Sequence, residues 1–103
     1  MANDNCPGQV VISGLKEPIE AASEKLKEAG ARRVMPLNLS APVHCRAQEP
    51  SVEIMRDEFA KVKIETPKSK WISNKTCSVI ENPEEIKEAL IYQLTHGVRW
   101  RER

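Results

Sequence analysis

Short β-branched runs and helical apolar stripes alternate along this chain, and that alternation leaves few architectures open. Val10, Val11 and Ile12 form a run ending at Ser13-Gly14, which predicts a strand over 9–13 entering a turn. Beyond Pro18, residues Ile19, Ala22, Leu26 and Ala29 recur at i, i+3, i+7 and i+10, the spacing of one helix face. Pro18 suits the first turn and Gly30 a left-handed C-terminal cap, so the predicted helix covers 17–29. Val34, Met35, Leu37 and Leu39 predict a second strand over 33–39, at an edge or irregular because Pro36 has no N–H to give a ladder.

The stretch from Ser40 to Pro50 has two prolines and no sustained period, and reads as a loop. Val52, Met55, Phe59 and Val62 then repeat the helical spacing behind Pro50 and Ser51, predicting a helix over 51–62. Lys68 to Ser73, with Trp71-Ile72 at its centre, reads as a weak strand, and 77–80 leaves room for another. Asn82-Pro83-Glu84-Glu85 marks a helix start: an Asn cap, Pro at the first helical position and Glu three residues after the cap. Ile86, Ala89, Leu90 and Leu94 supply its apolar stripe, and Gly97 stops it.

Strand and helix thus alternate three times. The expected fold is an α/β single domain over 1–103: three strand-helix units, with a small, largely parallel sheet of three or four strands packed with three helices through right-handed crossovers. Ile12, Leu26, Leu37, Phe59, Ile72, Ile86, Leu90 and Leu94 are the expected core. With one Phe, one Tyr and two Trp in 103 residues, aliphatic side chains must supply most of the burial, which points to ordinary or marginal stability.

Charge and cysteine spacing exclude several functions. Sixteen Lys and Arg against fifteen Asp and Glu leave a formal charge of +1, with no global field to attract nucleic acid or an anionic membrane. Arg99, Arg101 and Arg103 around Trp100 are too few to change that. No stretch has the roughly 20 consecutive apolar residues of a membrane span, and the first residues lack a basic region followed by an apolar run, so the chain reads as cytoplasmic. Cys6, Cys45 and Cys77 are odd in number and widely spaced, which predicts free thiols and neither disulfide nor metal site. Glycines only at 8, 14, 30 and 97 exclude both a G-x-S-x-G nucleophile elbow and a phosphate-binding glycine loop. No cofactor is expected.

One residue carries candidate chemistry. His44 follows the second predicted strand in a proline-flanked loop, where an imidazole can serve as a general base. Cys45 beside it makes a poor partner, because neighbours in an extended segment point to opposite sides. His96 reads more simply as a cation near a helix C-terminus.

Four ordered blocks resemble the malonyl-CoA:acyl carrier protein transacylases of fatty-acid synthesis: Pro7 to Gly14, Gly30 to Cys45, Ile72-Ser73-Asn74, and Gln93-Leu94 through Val98-Arg99-Trp100. The resemblance runs along nearly the whole chain. It implies a match to roughly the last third of that family: the second half of a ferredoxin-like small subdomain, then the return to an α/β-hydrolase-like large one. It also implies that His44 is the general base that activates a serine for attack on malonyl-CoA, supported by the backbone carbonyl of Gln93. The family's serine elbow, oxyanion-hole glutamine and malonate-binding arginine match nothing in these 103 residues, so the expected function is a transacylase fragment that is inactive alone.

Several positions depart from the family. It usually has Phe at Val43, Leu-Met at Ala47-Gln48, Pro-Val at Lys70-Trp71, Val at Lys75 and Pro at Gly97. Ala47, Gln48, Lys70 and Lys75 would resurface a face left bare, as in a fragment excised or engineered to fold alone. Two other functions stay open on the resemblance: a module binding acyl carrier protein or a coenzyme A thioester weakly through Arg32, Arg33, Arg46 and Arg99, or half of a split acyltransferase.

Overall fold

A computed structural model describes all 103 residues. The chain opens with a hairpin, β1 (Asn3–Cys6) and β2 (Gln9–Val11), paired antiparallel with Asn3 opposite Val11 and Asp4 opposite Val10. Pro7-Gly8 turns it, with Gly8 at φ 82°, the left-handed position that a Pro-Gly turn requires. Three helices follow, α1 (Lys16–Glu28), α2 (Glu49–Ala60) and α3 (Pro83–Tyr92), with single 3-10 turns at Arg46–Gln48 and Trp100–Glu102.

The helices form where the apolar period placed them, and their ends show why. At the end of α1, Gly30 sits at φ 101°, its N–H bonds to the Lys27 carbonyl (3.1 Å), and the Ala31 N–H reaches the Leu26 carbonyl (3.0 Å). That pair closes the helix around the expected left-handed glycine. At the start of α3, the Asn82 side chain accepts from the N–H groups of Glu84 (2.9 Å) and Glu85 (3.2 Å), with Pro83 in the first turn.

The sheet corrects the expected architecture. It has two antiparallel strands rather than three or four in a largely parallel array. β1 went unread because Asn-Asp-Asn-Cys has poor strand propensity; its pairing comes from β2 on one side and Val98 on the other, where the Asp4 N–H meets the Val98 carbonyl at 2.8 Å. Strands expected at 68–73 and 77–80 shrink to one antiparallel bridge, Ile72 with Val79, around a turn in which Cys77 takes φ 56°. The stretch 33–39 is not a strand, because nothing lies beside it to pair with.

Gly97 also differs from expectation. α3 ends at Tyr92, and Gly97 lies where a Cβ would stand 2.7 Å from the Met1 carbonyl oxygen. It is there for close backbone approach to the N-terminal hairpin, not as a helix cap.

Packing is thin. Ala2, Ile86, Ala89 and Ile91 are the buried apolar residues, joined by Asp4, Ser73 and Asn74. Of the expected core only Ile86 is buried; Ile12, Phe59, Leu90 and Leu94 are half-buried, and Leu26, Leu37 and Ile72 are exposed. α2 packs on α3, whereas α1 packs on no other helix or strand. The chain exposes 7955 Å², where a compact protein of this mass exposes about 5,800 Å². Its radius of gyration is 16.0 Å, against roughly 13 Å for a compact domain of this length. Ala47, Lys70 and Lys75 are exposed, yet so are the apolar Met35, Leu37 and Leu39.

Candidate active site

His44 and Gln93, 49 residues apart in sequence, meet in space: the His44 Nδ1 lies 2.7 Å from the Gln93 carbonyl oxygen. A carbonyl can only accept, so Nδ1 carries the proton and the Nε2 lone pair is left to take one. The residue reaches this position through an uncommon backbone, with φ at 52°. Left-handed geometry at a non-glycine residue costs on the order of 1–3 kcal/mol and tends to gather at functional sites.

Both partners of the bond are held from outside it. On the histidine side, Gln48 in the following 3-10 turn donates to the Pro42 carbonyl and accepts from the Ser51 hydroxyl (3.0 Å), pinning the loop to the first turn of α2. Cys45, the residue before that turn, accepts from the Ser13 hydroxyl at 3.6 Å and is tied to the end of the hairpin. On the glutamine side, the carbonyl belongs to the residue capping the C-terminus of α3, where carbonyls have no partner within the helix. It is free to receive the imidazole.

A buried polar clasp fixes the chain just beyond. Asn74 donates to the Gly97 carbonyl (3.3 Å) and accepts from the Arg99 N–H (2.8 Å), while the fully buried Ser73 hydroxyl accepts from the Lys75 (3.0 Å) and Thr76 (3.4 Å) N–H groups. Sequence reasoning passed over this role. The signal was a Ser-Asn pair after an apolar residue, a pairing whose side chains favour local turns over a ladder. Asp4 adds an ion pair with Arg101 at 2.7 Å, tying the hairpin to the last 3-10 turn.

The remaining candidates lie elsewhere. The ring of His96 stacks on Tyr92 (3.7 Å between centroids) with its Nδ1 2.9 Å from the Tyr92 carbonyl, a helix-end role. Arg99 bonds Glu102, which holds its guanidinium above the ordinary value, and Glu102 in turn lies below the usual carboxylate range. Arg33 contacts the Met35 sulfur at 2.9 Å, whereas Arg46 is exposed two residues from His44. A cleft of about 430 Å³ runs between α3 and the 75–80 turn and does not include His44. Its wall carries Glu84, Glu85 and Glu88 against the one cation Lys75, a net negative lining that disfavours anionic ligands.

No protein-family model matches the chain. It is 41% identical over 102 residues to the malonyl CoA-acyl carrier protein transacylase of Bacillus subtilis and 39% identical over 98 residues to that of Escherichia coli K12. These alignments cover 99% and 95% of the chain and 32% of each relative. Among solved structures, the acyl carrier protein S-malonyltransferase of Vibrio cholerae superposes with a TM-score of 0.91 at 40% identity. A malonyl-transacylase in complex with a type II PKS acyl-carrier protein gives 0.94 at 37% identity. Each covers 98% of this chain, which in turn spans 33% of theirs. Along nearly all of its length, then, the chain is similar to about one third of the malonyl CoA-acyl carrier protein transacylases it matches.

Proposed function

We propose that the chain carries the general-base part of a malonyl-transfer site, with His44 as the base and the Gln93 carbonyl as the group that orients it. The supporting observation is the 2.7 Å contact between His44 Nδ1 and the Gln93 oxygen. It fixes the tautomer in which Nε2 can accept a proton, the arrangement a base needs to activate a hydroxyl nucleophile. In the transfer, Nε2 takes the hydroxyl proton as the oxygen attacks the malonyl thioester, and returns it to the departing coenzyme A sulfur. The relatives' names include both malonyl-CoA and acyl carrier protein, which supports this substrate class.

The nucleophilic serine has no counterpart in the 103 residues, since the glycines that would build its elbow are absent. The isolated chain is therefore inactive. Incubated with malonyl-CoA and analysed by mass spectrometry, it gains no malonyl group on any serine once adducts on Cys6, Cys45 and Cys77 are blocked. A stoichiometric serine adduct that disappears in His44→Ala overturns this. The exposed Arg46, beside the base, is the cation best placed to meet an acidic carrier protein; Arg33 and Arg99 are already engaged.

A further inference from the structure

Burial is scarce in this chain, and two of the places where it falls are polar. Seven of the 103 residues are buried; Ser73, at 0% exposure, and Asn74, at 7%, are among them and lie outside any helix or strand. A side-chain amide costs free energy on burial unless both its ends find partners. Asn74 finds them on the backbone of alternate residues: its Nδ2 donates to the Gly97 carbonyl (3.3 Å) and its Oδ1 accepts from the Arg99 N–H (2.8 Å). Val98, between them, bonds the other way, its N–H to the Ala2 carbonyl (2.6 Å) and its carbonyl to the Asp4 N–H (2.8 Å). The direction alternates as along a strand with a partner on each side. Here one partner is the hairpin and the other is a single asparagine. The Ser73 hydroxyl, accepting from the Lys75 and Thr76 N–H groups, closes the turn that carries the amide and so fixes its aim.

That grip lies just beyond the carbonyl that holds His44. The Leu94 and Thr95 N–H groups still bond back to the Ile91 (3.1 Å) and Tyr92 (3.4 Å) carbonyls, so the stretch from Gln93 to Gly97 is a tight turn. α3 holds one end of it and Asn74 the other. His44 is referred to the same hairpin through the Ser13–Cys45 contact at 3.6 Å. The 2.7 Å bond between His44 Nδ1 and the Gln93 oxygen thus closes a ring of fixed pieces, and Asn74 belongs to that ring without bonding the imidazole.

We propose that Asn74 is a positioning residue for the base: by gripping the backbone at 97 and 99 it sets where the Gln93 carbonyl stands, and through that carbonyl the tautomer and orientation of His44. Its effect on malonyl transfer rests on His44 acting as the base; its effect on the tautomer does not.

Nitrogen NMR of the 103-residue chain reads the tautomer, with the His44 signals assigned by their loss in His44→Ala. In the unaltered chain His44 carries its proton on Nδ1. Asn74→Ala raises the Nε2–H share about tenfold, as expected when a hydrogen bond to the ring is lost. Asn82→Ala is the control: it removes the cap at the far end of the same helix, lowers stability and leaves the tautomer unchanged. A tautomer unmoved by Asn74→Ala, or moved as far by Asn82→Ala, overturns the proposal, since Asn74 then serves stability alone. If Asn74→Ala does not fold, Asn74→Asp takes its place, keeping an acceptor for the Arg99 N–H but offering no donor to the Gly97 carbonyl; an unmoved tautomer there overturns the proposal equally. In the Bacillus subtilis transacylase carrying this chain in place of its matching third, Asn74→Ala lowers kcat roughly 10- to 100-fold with KM for malonyl-CoA within about twofold. A tautomer shift with kcat unchanged refutes the base and leaves the positioning standing.

Discussion

At His44 one side chain balances two opposing energies. Its left-handed backbone is costly, and its bond to the Gln93 carbonyl returns roughly 0.5–1.5 kcal/mol. His44→Ala loses the bond and keeps the strain, so it lowers stability by about 1 kcal/mol, whereas His44→Gly relieves the strain and costs less. A urea titration of both variants checks the order, and equal midpoints contradict it. Because the acceptor is a main-chain oxygen, Gln93→Ala should keep the imidazole tautomer seen by nitrogen NMR. That also explains what the sequence could reveal here. His44 stood out as a titratable group in a proline-flanked loop, but no property of a glutamine side chain announces a backbone carbonyl, and Gln93 was legible only through the resemblance to the transacylases.

Among the elements, the helices were legible because their signals are local: Asn82 caps α3 through its own side chain, and at the end of α1 the Gly30 N–H bonds three positions back while the Ala31 N–H bonds five positions back. The strands were not, because their partners are remote. β1 depends on Val98, and 33–39 has strand chemistry with no strand to join. Gly97 shows the same dependence, since its requirement lies in the Met1 carbonyl, nearly the whole chain away. Gly97→Ala places a methyl 2.7 Å from that backbone oxygen and must push the hairpin from the 97–99 segment, for a cost of about 1–3 kcal/mol. Thermal unfolding measures the loss, and amide exchange at Asp4 should rise with it; an unchanged midpoint contradicts this account of the close approach.

Taken whole, the molecule matches about a third of the length of its relatives, with the His44 imidazole held on the Gln93 carbonyl and the apolar residues at 35, 37 and 39 open to solvent. The sequence pointed to a single closed core because amphipathic stripes tell which face an element buries, not which chain covers it. The exposed Leu26 and Leu37 carry core patterning without the neighbours that would make it a core. The most direct test of the central claim is malonyl transfer to acyl carrier protein by the Bacillus subtilis transacylase with this chain in place of its matching third, measured with and without His44→Ala. The base assignment predicts a transfer rate that falls 10²–10⁴-fold in the variant; a swapped enzyme whose rate is unchanged by His44→Ala contradicts it.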